Sequence, residues 1–143
     1  NTGVRVLASH SMARTQSWRD DVRQGMQALL LQHGANVQGI WASFDGQAFV
    51  IDDLLRARGV TKGQVKFVSI DGGEETYRRI ADPESTLMAT VTIPFEDMGR
   101  RAVEAIEHVV VRRQPKSALT NGPYLFLDAV LVDANNVQRY LAR

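Results

Sequence analysis

The sequence has no cysteine in 143 residues, which excludes disulfides, thiolate nucleophiles and cysteine-ligated metals. It has no excess charge of either sign: seventeen basic residues face sixteen acidic ones, a net charge of +1. Such a balance provides no electrostatic footprint for nucleic acid or an anionic membrane surface. Aromatic residues are sparse, at 7%. No apolar run approaches the roughly 18 residues of a membrane span. The opening residues, Asn1-Thr2-Gly3-Val4-Arg5, lack the charged and apolar regions of a signal peptide. What remains is ordinary: 44% hydrophobic and 23% charged residues fit a folded globular chain, not a disordered tail or a coiled-coil rod. The length suits one domain.

Short apolar runs alternate with longer amphipathic ones. Val4 to Ala8 is short and β-branched, which predicts a buried strand. Trp18, Val22, Met26, Leu29, Leu30 and His33 recur every three or four residues and predict a helix. Ser17 with Asp20 resembles a capping box, and Gly34 sits where a left-handed C-terminal cap belongs. Val37 to Ala42 reads as a strand, followed by a helix over Ala48 to Arg58 with Asp45 as its N-cap. Val65 to Ile70 is the next strand, and Asp71-Gly72-Gly73 turns into a short helix that Pro83 stops. Leu87 to Ile93 is a fourth strand, and Phe95 to Arg113 carries the longest helical pattern. After a polar connection, Gln114 to Pro123, Tyr124 to Val132 reads as a last strand and Asn135 to Leu141 as a closing helical turn. Strands separated by helices imply right-handed parallel crossovers, so the class is α/β, a mostly parallel sheet flanked by helices.

In open parallel sheets, ligands bind beyond the carboxyl ends of the strands. Ser9, His10, Ser43, Phe44, Asp45, Asp71, Gly72 and Ile93 fall there. Asp45 and Asp71 each serve either as helix caps or as acceptors for ligand hydroxyls, since one carboxylate can take two such bonds. Gly72 and Gly73 let backbone approach a ligand at Asp71. Phe44 is a large aromatic at a polar strand end, suited to stacking on a ring or covering the sheet edge. Trp18 opens an apolar helix face and reads as core or as a ligand platform. Catalytic patterns are absent. His10, His33 and His108 are far apart, no His-Glu-x-x-His or Gly-x-Ser-x-Gly occurs, and Asp71-Gly72-Gly73-Glu74-Glu75 places acids where a phosphate would sit. No enzyme activity, metal or cofactor is expected.

Four segments in order resemble one family. They are Met26-Gln27-Ala28-Leu29-Leu30 with Val37-Gln38-Gly39-Ile40-Trp41-Ala42, then Phe44-Asp45-Gly46-Gln47-Ala48, Val65 to Gly72, and Ala89 to Gly99. Together they resemble the C-terminal lobe of type I periplasmic sugar-binding proteins, the ribose-binding group. The resemblance continues through Ala102-Val103-Glu104-Ala105 and from Val132 to Leu141. It implies residues 1–93 as a C-terminal-lobe segment, 94–123 as a helix and connection belonging to the opposite lobe, and 124–143 as the final strand and tail. It also implies a fragment of a two-lobed protein about twice this long.

By the same resemblance, Asp71 accepts sugar hydroxyls, Trp18 lies near a stacking aromatic, and Asp45 supports the site. Phe44 and Ile93 stand where the family usually carries amide side chains, which implies a solute with fewer hydroxyls. The implied function is binding a sugar, polyol or related small solute for delivery to the membrane permease of an ABC importer. The implied location is the bacterial periplasm, with leader and N-terminal lobe outside this chain. Without that lobe the 95–113 helix exposes an apolar face, which implies self-association. Two alternatives stay open: the effector-binding domain of a lactose-repressor-type transcription regulator, which shares the fold, and a small flavodoxin-like enzyme.

Overall fold

The computed structural model describes residues 3–120 and 122–142. Asn1, Thr2, Arg143 and, within the polar connection, Asn121 lie outside the described residues. Four strands form one sheet in the order β1 (Gly39–Trp41), β2 (Lys66–Asp71), β3 (Leu87–Thr92) and β4 (Val130–Asp133). The sheet is mostly parallel. β1 and β2 pair in parallel, with Ile40 opposite Phe67 and Trp41 opposite Val68.

The chain divides into two units, residues 1–91 with 131–143, and residues 92–130. In the first, α1 (Trp18–His33) packs on α2 (Asp45–Ala57), and α3 (Glu74–Ala81) packs on α5 (Gln138–Leu141). The core follows from side-chain periodicity. Ala48, Ile51, Leu54 and Leu55 form the inward stripe of α2 and meet Phe67 of β2, Leu87 of β3 and Val132 of β4. Along β2 burial alternates, with Phe67 and Ser69 inside and Lys66 and Val68 outside. The outer side keeps apolar residues in the open: Trp41, 64% exposed, sits in register with exposed Val68.

Two polar centres, buried Asp52 and half-buried Lys62, fasten the first unit. Asp52 is fully buried in α2 and accepts hydrogen bonds from the Thr86 N–H at 2.6 Å, the Thr86 and Ser85 hydroxyls, and Arg79 at 2.7 Å. Burial works to raise the Asp52 pKa, but these donors outweigh it and hold the carboxyl below its usual range. Lys62 donates its ammonium hydrogens to the carbonyls of Arg79, Ile80 and Asp82 at the end of α3. These carbonyls otherwise lack helical partners.

Several local expectations need correction. Val4 to Ala8 forms no strand; Val4 and Val6 are 79% and 78% exposed. A β-branched run becomes a strand only where a neighbour accepts its ladder, and no described strand pairs with it. Ser17 makes no side-chain cap; its carbonyl accepts the Asp20 and Asp21 N–H groups instead. Asp21 turns its carboxylate to the Ala13 and Arg14 N–H groups, both at 2.7 Å, with His10 Nε2 at 3.2 Å. Gly34 is right-handed, with φ of −47°, because a 3-10 turn over Gly34–Asn36 continues the chain. The last strand is shorter than the Tyr124 to Val132 run and begins only at Val130.

The second unit contains α4 (Phe95–Ile106), a π turn (Glu107–Val111) and a 3-10 turn (Lys116–Ala118). The helical pattern over 95–113 is therefore not one α-helix, because the last turns widen to i→i+5 bonding. No residue of α4 is buried, and Phe95, Met98, Val103 and Ile106 stand exposed. Along its surface Arg100 pairs with Asp97 and Glu104, Arg101 with Glu104, and Arg112 with Glu107.

Candidate functional site

The ends of β1 and β2 in the first unit bring Phe44, Asp45 and Asp71 together. Asp45 was expected to cap its own helix, and it does not: α2 begins after an extended Phe44, with no side-chain cap. The Phe44 carbonyl accepts the Gln47 and Ala48 N–H groups. The Asp45 carboxylate faces the interior, 6% exposed, and gathers four donors. One oxygen accepts the Ser69 hydroxyl at 2.5 Å and the Thr90 hydroxyl at 3.1 Å. The other accepts the Thr76 hydroxyl at 2.5 Å and the Gly72 N–H at 2.8 Å. One side chain thus ties α2 to β2, β3, α3 and the loop that follows Asp71. Ser69, Thr76 and Thr90 looked unremarkable in sequence, and only their shared convergence on Asp45 gives them a role.

Asp71 ends β2 half-buried, with φ of 124°, a backbone region where residues other than glycine are strained. Gly72 and Gly73 follow, also with positive φ. Burial raises the Asp71 pKa; the Asp45 N–H, hydrogen-bonded to the Asp71 carboxylate, opposes the rise, and the Asp45 charge adds to it. A strained, partly desolvated carboxylate at a strand end is the type of group found at ligand sites.

Trp18 and Phe44, both half-buried, form an aromatic pair with ring centroids 5.4 Å apart and planes tilted by 60°. Gly46 seats them. A Cβ there would come within 2.7 Å of Phe44 Cε2 and 2.9 Å of Trp18 Cη2, so only glycine leaves room for both rings. The Arg19 guanidinium lies 4.9 Å from the Trp18 ring centroid, in cation–π contact. Trp18 also packs against the hydrophobic core, which is the first of its two sequence readings. The structure therefore brings together Trp18, Phe44, Asp45 and Asp71. Ile93, half-buried, belongs to the second unit, just before α4. Gly46 was not singled out from sequence; its place two residues after an aromatic, inside a helix start, is the signal that could have found it.

Among the described residues no group of three or more His, Asp or Glu side chains could hold a metal ion. No helix among them is long and apolar enough to cross a membrane.

No protein-family model matches the chain, and no curated protein matches it in sequence. Solved structures do match. The 5-methylthioribose transporter solute-binding protein of Thermotoga lettingae, in complex with 5-methylthioribose, superposes with a TM-score of 0.77 at 23% identity, over 97% of this chain and 41% of that one. An ABC transporter solute-binding protein of Agrobacterium vitis with bound allitol gives 0.73 at 21% identity, over 90% and 42%. One from Mycobacterium smegmatis with bound glycerol gives 0.70 at 26% identity, over 87% and 40%. The chain spans only 40–42% of the length of these three neighbours. What was expected from sequence holds at the level of fold: the chain is built as a C-terminal portion of the ribose-type solute-binding proteins of ABC sugar transporters.

Proposed function

We propose that the chain supplies one wall of a site for a sugar, polyol or related small uncharged solute, which a two-lobed protein carries in the bacterial periplasm to the permease of an ABC importer. The observation that carries this reading is Asp71: an accessible carboxylate held in a strained backbone at the carboxyl end of a parallel strand. It can accept two hydroxyl hydrogen bonds from one solute, while Trp18 and Phe44 offer ring surface beside it. Asp45 sets the loop without touching solute, because its oxygens are occupied by protein donors. In this reading residues 94–123 belong to the opposite lobe. Two lobes closing on the solute would give the form that the permease recognises. The role is binding, not catalysis.

The test is a thermal-shift and calorimetric screen against sugars and polyols. A solute present at 100 times its Kd should stabilise the protein by about 2.7 kcal/mol. Asp71→Ala should abolish the shift without lowering the melting temperature of the unliganded protein. A screen in which no sugar or polyol stabilises the protein, or one in which Asp71→Ala binds as well as the parent, overturns the reading.

A further inference from the structure

We infer that the solute has two unlike sides, one hydroxylated edge and one apolar flank, as in a deoxy, O-alkyl or S-alkyl sugar, and that Phe44 selects the flank. The inference rests on the solute-binding reading above and extends it to substrate class.

The Ser43 N–H and hydroxyl both point to Gln47 Oε1, the hydroxyl at 2.9 Å. The hydroxyls of Ser69, Thr76 and Thr90 are buried and donate to Asp45. Both Asp45 oxygens are taken. That leaves the half-buried Asp71 carboxylate, with the Gln47 side-chain amide in the first turn of α2. Beside them stand two aromatic rings, and the Asp45 N–H that meets the Asp71 carboxylate is one residue from Phe44. Phe44 is seated over Gly46 against Trp18, and Arg19 covers part of Trp18. The rim therefore satisfies about two hydroxyls and presents hydrocarbon to the rest of a solute.

A hydroxyl pressed on Phe44 would give up its water partners for none in return. An apolar wall discriminates against one added hydroxyl by on the order of 10- to 100-fold. A methyl, methylene or thioether in the same position loses nothing and gains ring contact.

The experiment compares matched ligands on the two-lobed protein that carries this chain: D-ribose, 5-deoxy-D-ribose and 5-methylthioribose, titrated while the Trp18 indole N–H is followed by NMR. The expected result is that the deoxy and methylthio compounds bind at least about 10-fold more tightly than ribose. Phe44→Asn, which places donors and an acceptor where the ring stood, should bring that ratio to near unity or reverse it. Equal or tighter binding of ribose by the parent overturns the inference while leaving the solute-binding reading in place. A preference that survives in Phe44→Asn overturns the role of Phe44. Failure of all three ligands, together with failure of every polyol in the wider screen, overturns the solute-binding reading and this inference with it.

Discussion

Replacing Asp45 is the sharpest structural test, because one side chain holds five segments of the chain. In Asp45→Ala, three hydroxyls and one backbone N–H lose their acceptor at once. Hydrogen bonds to a charged group are worth about 1.5–3 kcal/mol each, so simple addition over four gives roughly 6–12 kcal/mol. That sum is too large, because the Ser69, Thr76 and Thr90 hydroxyls can rotate toward other acceptors or admitted water. The Gly72 N–H is fixed by the backbone and cannot. Removing one partner from a buried charged cluster typically costs about 3–5 kcal/mol, and that is the expected loss. In urea denaturation followed by circular dichroism, with a slope of about 2 kcal/mol/M, it moves the midpoint down by about 2 M. Asp45→Asn keeps the shape and one acceptor and should lose about half as much. It should also loosen the Asp71 loop, read as faster amide exchange at Gly72. A midpoint shift below about 0.5 M for Asp45→Ala would mean that the four bonds do not organise the unit.

Four further outcomes follow from the structure. Asp71→Gly relieves a strained φ worth about 1–3 kcal/mol and gives back about 0.5–1 kcal/mol in glycine flexibility, so the unliganded protein should become more stable by about 1 kcal/mol at pH 7 while losing solute binding; a destabilised variant would contradict the strain argument. Because the folded pKa of Asp71 is raised, its favourable contribution is complete below the unfolded value of about 3.9 and is lost as pH rises through the folded value. The margin of Asp71→Asn over the parent should therefore open with rising pH and close near pH 3 in chemical denaturation. Asp52 has the opposite sign: its lowered pKa stabilises the fold above about pH 3.9, and this stabilisation disappears as pH falls through the folded value, so Asp52→Ala should cost about 3–5 kcal/mol at pH 7 and flatten the acid limb. Taken without the opposite lobe, the 143-residue chain should pair through the exposed face of α4 in antiparallel fashion, since Glu96 near its start and Arg113 beyond its end have no ion-pair partner among the described residues and would meet across a two-fold axis; sedimentation should show a dimer, and Val103→Glu with Ile106→Glu should return a monomer.

How far the sequence could be read depended on where each residue's partners lie. α1, α2 and β3 were found nearly at their observed bounds, because their signals, three-to-four spacing and β-branched runs, sit within a dozen residues. Val4 to Ala8 carried the same strand signal and failed, since pairing is a tertiary event that propensity alone cannot supply. Asp45 shows the limit most clearly. Its position between strand and helix was recognised, but a cap is what an aspartate does with its nearest N–H groups. Its true donors at 69, 72, 76 and 90 lie 24 to 45 residues away. Asp52 was invisible for the same reason: beside Asp53 on a helix it resembles a solvent-facing pair, and Arg79, Ser85 and Thr86 reach it only through the fold.

Local chemistry was more legible at the rim. Asp71 before two glycines and Phe44 at a strand end were both marked as odd in place, and both turn out to be half-buried, not packed away. The asymmetry has a physical cause. A buried polar residue must be satisfied by distant parts of its own chain, so its role is written in the fold. A residue at an open strand end answers to whatever arrives from outside, and its local chemistry already states what that can be. Asp45 and Asp71 show the contrast side by side: the Asp45 N–H donates to the Asp71 carboxylate, while the Asp45 carboxylate is saturated by the protein and that of Asp71 is only partly engaged. If the open one is the anchor, exchanging the burdens should be costly in both directions. Thr90→Val, which frees part of one Asp45 oxygen, should cost stability by about 1–2 kcal/mol and leave the ligand preference unchanged, whereas Phe44→Asn should change preference with little cost in stability. Equal effects of the two variants on ligand preference would show that the saturated carboxylate also reaches solute, and the division of labour between Asp45 and Asp71 would be wrong.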